Sequence, residues 1–503
     1  MKVLIFHGYL LRGTGSNIYN ASVAQALAKL GHEVHLLCQD REAEALPWVD
    51  SVGGRGAPGA VTVHLPDIGG LLPVYVADRY EGFEAKTFPE LSEAELDRYL
   101  DANVAAVRDV VDAVSGVDAA LANHLVMGPA IAARAGLGAA AGGPGYAVKI
   151  HGSALEFTVK PNPRFLPHAR EGVEAAGGIL VGSRHTAESL WQALDDDGLP
   201  ARTRLGPPGV DVELFSPLER SAAEPRLREL AAALRSVPAD PGAAFVRDAG
   251  EAMRAIEQLA AASGPRVVFV GKLIDTKGVD LLLAVWPLVV AEHPGARLVI
   301  VGFGEGRQRL EDLARALERG DVAAARELAT ASAAGRRLEM LDSFLASAPA
   351  DYPRAAAAAA GSVAFAGRLE HDEVAHLIPA CDALVMPSTF PEAFGMVAAE
   401  AAAAGVLPIS AAHSGMLEVS RALAAELPAA SRDLVSFQLG DGAASAIAER
   451  LGRWLALDPE SAAATREALS ATARRLWSWE GVAGGILAAS AGDLDDLPAV
   501  PRQ

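Results

Sequence analysis

Two glutamates, Glu392 and Glu400, stand eight residues apart in the stretch PSTFPEAFGMVAAEAAAAGVLPIS. The apolar run at 382–386 predicts a short buried strand, and residues 395–404 predict a helix. Because eight helical residues rise roughly 12 Å, the two carboxylates are too far apart to share one metal ion or one proton. Ionised carboxylates only accept hydrogen bonds, so we expect them to bind hydroxyl groups at two ends of one ligand.

The predicted position of Glu392 supports this interpretation. A strand end followed by a helix N-terminus is where open α/β sheets bind ligands, and the backbone N–H groups there favour an anion or sugar hydroxyls. The alternative is that Glu392 is a loop residue and that Glu400 lies on a solvated helix face, since isolated carboxylates are mostly exposed.

The stretch PEAFGMVAAEAAAAGVLPIS resembles the Glu-x7-Glu signature of the retaining glycosyltransferases of family 4. This resemblance favours the ligand-binding interpretation. It implies that Glu392 contacts the hydroxyls of a donor sugar together with the backbone amides of Ala393, Phe394 and Gly395. It also implies that Glu400 holds the ribose of the nucleotide. The fold it implies is α/β, of the GT-B type, with two Rossmann-like domains facing a deep cleft and with helical insertions.

Two lysines, Lys272 and Lys277, lie in the loop of VVFVGKLIDTKGVDLLLAV, and Lys277 directly precedes a predicted helix. The helix dipole disfavours a cation there by about 0.3–1 kcal/mol, so its presence indicates that an anion docks at this point. The family usually has Gly-Arg-Leu and then Lys-Gly here, so Lys272 replaces the arginine, while Lys277 and Gly278 match. Lysine lacks the bidentate fork of arginine, so we expect diphosphate binding with an altered orientation. The alternative is a charged surface loop.

Three further sites complete the implied donor pocket. The strand at 297–301 ends in Gly302, where the backbone can pass close to a nucleotide, and the strand at 363–366 leads to Arg368, a nucleotide-pocket candidate. In HSGMLEV, Ser414 replaces the first glycine of the family's usual Gly-Gly pair.

The chain begins with a predicted βαβ unit, in which Gly13 and Gly15 form the loop after the first strand. In the family this loop approaches the donor phosphates or the acceptor. Asp40 follows at a distance that resembles the dinucleotide fingerprint, but the third glycine is missing. A nicotinamide-dependent oxidoreductase therefore stays open as an alternative.

Two histidines, His124 and His151, each follow a short apolar run that predicts a strand. Catalytic groups collect at the carboxyl ends of such strands. The resemblance implies that His151, in KIHGS, lies against the donor sugar, and we expect His124 on the acceptor side. The alternative for both is a structural histidine at a strand end.

Aromatic residues are concentrated at 66–89, although only 5% of the chain is aromatic. This concentration indicates a packed lid or an acceptor-binding wall, with Tyr75, Arg79 and Tyr80 as candidate acceptor residues; Arg79 and Lys86 make an anionic acceptor conceivable. The alternative is a hydrophobic cluster with solvated charges.

The composition of the chain indicates which classes of partner it is unsuited to bind. The chain has 503 residues, 51% hydrophobic content and a net charge of −19, which argues against nucleic acid and against a general anionic membrane surface. Cys38 and Cys381, the two cysteines, each flank an apolar run and suggest a reducing compartment. With no apolar run long enough for a signal peptide or a membrane span, we expect a cytoplasmic protein.

We expect five segments. These are an acceptor-side Rossmann-like domain (1–216), a helical connector (217–264), a Rossmann-like donor domain with a helical insertion at about 307–361 (265–475), a helix crossing back to the first domain (476–491) and a loose tail (492–503). The sequence does not define the roles of 41–90, 217–264 and 307–361.

The resemblance implies transfer of a hexosyl unit from a nucleotide diphosphate sugar to an acceptor hydroxyl, with retention of anomeric configuration and without a metal or other cofactor. The catalytic residues it implies are His151, Lys272, Lys277 and Glu392. The alternatives besides the oxidoreductase are a sugar phosphorylase on the same scaffold and a non-catalytic sugar-nucleotide binding protein. The sugar, the base, the acceptor and the oligomeric state stay open.

Overall fold

The structure is a computed structural model that describes residues 1–12, 15–75, 82–138, 142–236, 248–330, 337–392 and 394–501. The chain divides into two units. The first contains Met1–Gly209 and Trp477–Gln503, and the second contains Val210–Leu476. Each unit is built on its own parallel β-sheet.

The first unit contains ten strands and seven of the helices among the described residues. In chain order they are β1 (Lys2–Phe6), α1 (Gly15–Lys29), β2 (Glu33–Leu37), β3 (Ser51–Val52), β4 (Val61–His64), β5 (Leu71–Val74), β6 (Glu84–Thr87), α2 (Glu93–Ala113), β7 (Ala119–Asn123), α3 (Gly128–Arg134), β8 (Tyr146–Ile150), α4 (Leu166–Glu174), β9 (Gly178–Val181), α5 (Arg184–Leu194), α6 (Leu199–Arg202), β10 (Thr203–Leu205) and, from the end of the chain, a helix over Trp479–Ala491. A π-helical segment, Ala154–Val159, follows β8.

The main sheet of the first unit has the strand order β10-β9-β8-β7-β1-β2-β4-β3. Alternate residues of β1 enter different cores. Leu4 and Phe6 pack with α2–α5, whereas Val3 and Ile5 pack with α1 and the C-terminal helix. Burial on both faces explains why these strands read as continuous apolar runs. The order reverses between β7 and β1, and ligands of such sheets bind outside the carboxyl ends of the strands at this point.

The aromatic-rich region at 66–89 contributes a small parallel sheet of β5 and β6. Phe88, just after β6, is fully buried, and it packs into the core formed by α2–α5. The part of this region at 76–81, which includes two of the acceptor candidates, Arg79 and Tyr80, lies outside the described residues.

The second unit contains α7 (Ala223–Arg235), α8 (Ala249–Ala260), β11 (Arg266–Val270), α9 (Val279–Glu292), β12 (Arg297–Val301), α10 (Arg307–Glu318), α11 (Val322–Thr330), α12 (Glu339–Ser347), α13 (Tyr352–Ala358), β13 (Val363–Gly367), α14 (His371–Leu377), β14 (Ala383–Met386), α15 (Met396–Ala403), β15 (Leu407–Ala411), α16 (Ser414–Glu426), β16 (Ser436–Phe437), α17 (Ala443–Leu455) and α18 (Pro459–Trp477). The C-terminal helix of the first unit, Trp479–Ala491, is α19.

The sheet of the second unit has the strand order β13-β12-β11-β14-β15-β16, and every pairing in it is parallel. Numbered within the sheet, this is the order 3-2-1-4-5-6 of doubly wound dinucleotide-binding folds. The order reverses between β11 and β14. Ligands bind such sheets outside the carboxyl ends of the strands at this point, which directs attention to the loops after β11 and β14.

The predicted strand at 382–386 and the predicted helix at 395–404 are confirmed as β14 and α15. The C-terminal segment was expected to be a loose tail, but residues up to Val500 are docked on β10. The backbone N–H of Leu205 donates to the carbonyl of Pro498 at 2.8 Å, and Val500 is buried. As an edge strand, β10 has unpaired backbone groups that the C-terminal segment satisfies.

Among the described residues, no helix combines the length and the apolar character needed to cross a bilayer.

Candidate functional site

The centre of the candidate site is an ion pair between the Lys277 ammonium and the Oε1 of Glu392. Lys277 lies in the loop after β11, and Glu392 lies in the loop after β14. Both side chains are 25% exposed, so the two charges are half-buried and still accessible to a ligand. The ion pair therefore stands at the carboxyl ends of the two strands between which the sheet order reverses.

Backbone contacts hold these two loops together. The backbone N–H of Thr389 donates to the carbonyl of Thr276 at 2.8 Å. Gly278 has φ +64°, and a Cβ there would lie 2.1 Å from the carbonyl oxygen of Pro387. A side chain at this position would separate the loops, which explains why glycine follows Lys277.

Further contacts hold Glu392, at its side chain from its own loop and at its backbone from the start of α16. The Ser388 hydroxyl donates to Glu392 Oε1 at 2.8 Å. The backbone N–H of Glu392 donates to the Ser414 hydroxyl at 2.9 Å, and the backbone N–H of Gly415 donates to the Glu392 carbonyl at 2.9 Å. The carboxylate therefore has a defined position without a ligand.

The turn before Lys277 is anchored by a second ion pair, between Asp275 and Arg309. Nearby, the Asp280 carboxylate is buried in the first turn of α9. Burial raises the pKa of Asp280 to about 6, which the charge of Arg309 and the hydrogen bonds from the backbone N–H groups of Asp280 and Leu281 only partly offset. The first turn of α9 therefore already has an internal anion, so a phosphate here would depend more on the lysines than on these amides.

Lys272 lies in the loop after β11 and Gly302 lies in the turn after β12, and these two segments are in contact. Lys272 is exposed, and its neighbours in the loop pack on the turn after β12, where the backbone N–H of Leu273 donates to the carbonyl of Phe303 at 2.7 Å. A Cβ on Gly302 would lie 1.8 Å from the carbonyl oxygen of Gly271. Gly302 thus permits the close approach of two backbone segments, which is a structural reason for glycine here.

Glu400, the second glutamate of the motif, is buried in α15 and accepts a hydrogen bond from His371 Nε2 at 3.0 Å. Desolvation lowers the pKa of His371, but the hydrogen bond and charge of Glu400, with Asp211 and Asp372, outweigh it and raise that pKa. The alternative of a solvated Glu400 is therefore wrong. Glu400 is a buried acceptor with a basic partner.

The remaining donor-side candidates lie in the same unit. Arg368 pairs with Glu370 at 3.0 Å in the turn after β13. Phe394 is 9% exposed, and Gly395 immediately precedes α15, where its carbonyl accepts from the backbone N–H of Ala399 at 3.0 Å. Ala393 lies outside the described residues.

Three histidines collect at the carboxyl edge of the first unit's sheet. His7, His124 and His151 each directly follow one of the neighbouring strands β1, β7 and β8. The ring centroids of His124 and His151 are 4.9 Å apart, and those of His7 and His124 are 6.2 Å apart. The parallel register brings these three residues together from distant parts of the sequence.

His151 has a defined tautomer. Asn123 donates its amide N–H to the carbonyl of Phe6 at 3.1 Å, so its Oδ1 is the atom that accepts from His151 Nε2 at 2.8 Å. Desolvation, followed by the charges of His124, Lys149 and His7, keeps the pKa of His151 well below its usual range. The neutral ring therefore presents Nδ1 as a hydrogen-bond acceptor, which suits a sugar hydroxyl.

His124 is buried, with φ +67°, and its two ring nitrogens have no hydrogen-bond partner among the described residues. Burial lowers the pKa of His124 well below its usual range. The Tyr75 ring lies 4.6 Å from it, stacks on Phe88 at 5.1 Å, and donates its hydroxyl to the Val126 carbonyl. Tyr75 therefore supports the wall around His124.

The sequence predicts ligand contacts for Gly13 and Gly15 and, in the oxidoreductase alternative, for Asp40. Gly13 lies outside the described residues, and Gly15 begins α1, where a Cβ would meet nothing within 4 Å. Asp40 is 3% exposed, and its two oxygens accept from the backbone N–H groups of Leu11 and Glu42, each at 3.1 Å. The carboxylate expected for a dinucleotide ribose is therefore engaged in holding its own loop.

Several residues of the site were missed from the sequence. His7 follows a strand end as His124 and His151 do, so the same signal would have identified it. Lys149, in the buried strand YAVKI, is an unusual charge that could have been noticed. Its ammonium donates to the Gly206 carbonyl and lies 5.2 Å from the Tyr19 ring, and burial lowers its pKa to about 7.

The sequence profile of the family described as Glycosyl transferases group 1 matches residues 254–323 and 352–471, both within the second unit. The matched ranges contain Lys272, Lys277, Glu392 and Glu400. The unmatched residues between them, 324–351, include α12 and most of α11.

Two curated relatives give further matches. The chain is 28% identical over 368 residues to a D-inositol 3-phosphate glycosyltransferase from Geodermatophilus obscurus, covering 71% of this chain and 61% of that protein. It is 38% identical over 109 residues to a glycogen synthase from Alkalilimnicola ehrlichii, covering 21% of this chain and 20% of that protein. The chain thus spans less than two thirds of the length of these relatives.

Solved structures with the same fold include sucrose-phosphate synthase from Thermosynechococcus elongatus, at a TM-score of 0.52 and 18% identity, covering 96% of each chain. The Anabaena protein HepE in complex with UDP has a TM-score of 0.57 at 15% identity, covering 97% of this chain and 98% of that chain. HepE was also solved with UDP-glucose. At these identities the likeness is one of fold, the GT-B fold with its two Rossmann-like sheets.

Proposed function

We propose that the chain is a glycosyltransferase with the GT-B fold and, more finely, a retaining, metal-independent enzyme of family 4; the profile match within the second unit and the fold of the solved neighbours support this. It moves a hexosyl unit from a nucleotide diphosphate sugar to an acceptor hydroxyl. The observation that carries this proposal is the Lys277–Glu392 ion pair at the switch point of the second unit's sheet. The Lys277 cation can bind the phosphate of such a nucleotide sugar, and the neighbouring Glu392 carboxylate can accept hydrogen bonds from its sugar hydroxyls.

In the donor half of the reaction, negative charge grows on the diphosphate as the glycosidic bond opens. Lys277 and Lys272 stabilise this charge more in the transition state than in the ground state, which is what accelerates the chemical step. They take the role that a metal ion has in other phosphate-leaving reactions. The leaving phosphate oxygen receives the acceptor proton on the same face of the sugar.

Glu392 binds the hydroxyls of the donor sugar. Its carboxylate is fixed by Ser388 and Lys277 before any donor arrives, so little further ordering is needed when the sugar binds. Glu400 binds the ribose hydroxyls from a buried position, with His371 holding the carboxylate. Gly302 and Arg368 directly follow β12 and β13, and we assign them to the nucleotide.

The first unit supplies the acceptor half. The neutral His151 ring offers Nδ1 to a hydroxyl of the sugar, a role that the family resemblance assigns. Neither ring nitrogen of His124 has a hydrogen-bond partner among the described residues, and we assign that role to a hydroxyl of the acceptor. Tyr75 shapes this wall, and Arg79 and Tyr80 stay acceptor-side proposals.

The alternatives predict different chemistry. The oxidoreductase is disfavoured because both oxygens of Asp40 are already engaged. A sugar phosphorylase would release sugar phosphate from a disaccharide and inorganic phosphate. A non-catalytic binding protein would bind a nucleotide sugar and leave it intact.

The test is a thermal-shift panel of UDP-, GDP- and ADP-glucose, with inorganic phosphate and NAD as the other additions. We expect one nucleotide sugar to raise the melting temperature of the wild type, and the shift to be lost in Lys277→Ala and Glu392→Ala. The named substrate of the relative, D-inositol 3-phosphate, is a reasonable first acceptor for transfer assays. A shift with NAD and with no nucleotide sugar would overturn the proposal.

A further inference from the structure

The loops after β14 and β15 are joined by a closed set of hydrogen bonds around the Glu392 backbone. His413 Nε2 lies 2.8 Å from the Ser388 carbonyl, and Ser414 Oγ lies 3.3 Å from His413 Nδ1. On the other side, the Glu392 backbone N–H reaches Ser414 Oγ, and the Gly415 N–H reaches the Glu392 carbonyl. Both polar groups of the Glu392 backbone are thus held by consecutive residues of one turn.

The chemistry of the acceptors fixes the direction of each bond. Because the Ser388 carbonyl can only accept, His413 Nε2 donates to it, and Nδ1 of a ring that carries this one proton is an acceptor. The Ser414 hydroxyl therefore donates to Nδ1 and accepts from the Glu392 N–H. The Ser414 hydroxyl thus links the His413 ring to the Glu392 backbone.

Ser414 adopts a backbone conformation that serine rarely takes. Its φ is +50°, in the left-handed region where a side chain is strained and where glycine is at ease. Strained residues persist where the surroundings determine them, and they cluster at ligand clamps. In this chain a serine whose hydroxyl binds the Glu392 N–H occupies a position where glycine would adopt the backbone conformation with less strain.

We propose that Ser414 is a positioning residue of the transfer reaction, which fixes the backbone of Glu392 through its hydroxyl. The inference rests on the proposed function, because Glu392 acts there on the donor sugar. Ser414 does not touch the reacting atoms. It sets the angle at which the Glu392 carboxylate meets the sugar.

Ser414→Gly has two effects that can be measured separately. It relieves the backbone strain, which should raise stability, and it removes the hydrogen bond from the Glu392 N–H, which should lower activity. Ser115, which has φ +60° in the turn after α2 of the first unit, provides the matched control. Ser115→Gly relieves the same kind of strain in the other unit, so we expect it to raise the melting temperature by about 2 °C. Because Ser115 and the Glu392 loop belong to different units, transfer activity should be unchanged.

For Ser414→Gly we expect a folded protein with a melting temperature at or above that of the wild type, and kcat/KM for the nucleotide sugar lower by about tenfold, the net worth of one hydrogen bond. Ser414→Ala, which keeps the strain and loses the hydroxyl, should lose the same activity and also some stability. Kinetics use whichever of UDP-, GDP- and ADP-glucose the wild type transfers.

The coupling to Glu392 separates a positioning role from a structural one. In a Glu392→Ala background, Ser414→Gly should cause no further loss, because the group that it positions is gone. Normal kcat/KM in Ser414→Gly, or an equal loss in both backgrounds, overturns the inference while the proposed function stands. If the wild type transfers from none of the three donors, the proposed function fails and the inference fails with it.

Discussion

The ammonium of Lys277 and the carboxylate of Glu392 form a half-buried ion pair between the loops that follow β11 and β14. These residues are far apart in the sequence, and the pairing of β11 with β14 brings them together. Each side chain holds the other in place in the absence of a ligand. We expect a nucleotide sugar to offer a phosphate to Lys277 and hydroxyls to Glu392, so that two contacts with the ligand replace the ion pair.

We expect Lys277→Ala and Glu392→Ala each to lower kcat/KM for the nucleotide sugar by about 10²-fold or more, the scale of losing one preorganised transition-state contact. Initial rates of nucleoside diphosphate release measure this. Lys29→Ala is the control, because Lys29 forms an exposed ion pair with Glu480 in the first unit. Rates near the wild type in both site variants would contradict the assignment.

Gly278→Ala should lower the free energy of unfolding by at least about 2 kcal/mol, from the left-handed backbone and the clash with Pro387. Equilibrium urea unfolding measures this. Gly484→Ala is the matched control, because Gly484 lies exposed within α19 with nothing within 4 Å of a Cβ. We expect that variant to be more stable by about 0.5–1 kcal/mol. Equal changes in both variants would show that the two loops are not in close contact at Gly278.

The His371–Glu400 pair should make stability depend on pH. The folded pKa of His371 is raised, so its contribution is fully present below the unfolded pKa of about 6.5 and is lost as the pH rises through the folded pKa. We therefore expect His371→Asn to cost more stability at about pH 5.5 than at about pH 8.5. Urea unfolding at both pH values tests this. A cost that is larger at the higher pH would contradict the ion pair.

His124→Asn should lower kcat/KM for the acceptor and leave the donor-induced shift in melting temperature unchanged. Asparagine tolerates the positive φ at this position, so the fold should be retained. The control is His64→Asn, since His64 is another histidine of the first unit whose pKa burial lowers; it lies on β4, 3.1 Å from His35. Loss of donor binding in His124→Asn, or an equal acceptor defect in the control, would remove His124 from the acceptor side.

The local elements of the donor site could be predicted from the sequence. A continuous apolar run followed by a turn and an alanine-rich stretch predicts β14 and α15, and the structure confirms both. The Lys-Gly and Glu-x7-Glu motifs identify Lys277 and Glu392 as candidates. That the two residues touch could not be predicted, because it depends on which strands are neighbours in the sheet.

Other features depend on conformation that residue type does not encode. Nothing about a serine indicates φ +50°, so the network around Ser414 could not be predicted. His371 carries no motif, and its contact with Glu400 joins two helices, α14 and α15, that are separated by β14 in the sequence. The docked C-terminal segment was also missed, since nothing in its sequence indicates the free edge of β10 that it covers.

The most direct test of the account is the reaction itself, followed by proton NMR with the nucleotide sugar that stabilises the wild type and with D-inositol 3-phosphate or another hydroxyl acceptor. The account predicts acceptor-dependent release of nucleoside diphosphate and a first-formed product with the anomeric configuration of the donor. Both signals should fall in Glu392→Ala. A product of inverted configuration, or donor turnover that is unchanged in Glu392→Ala, would contradict it.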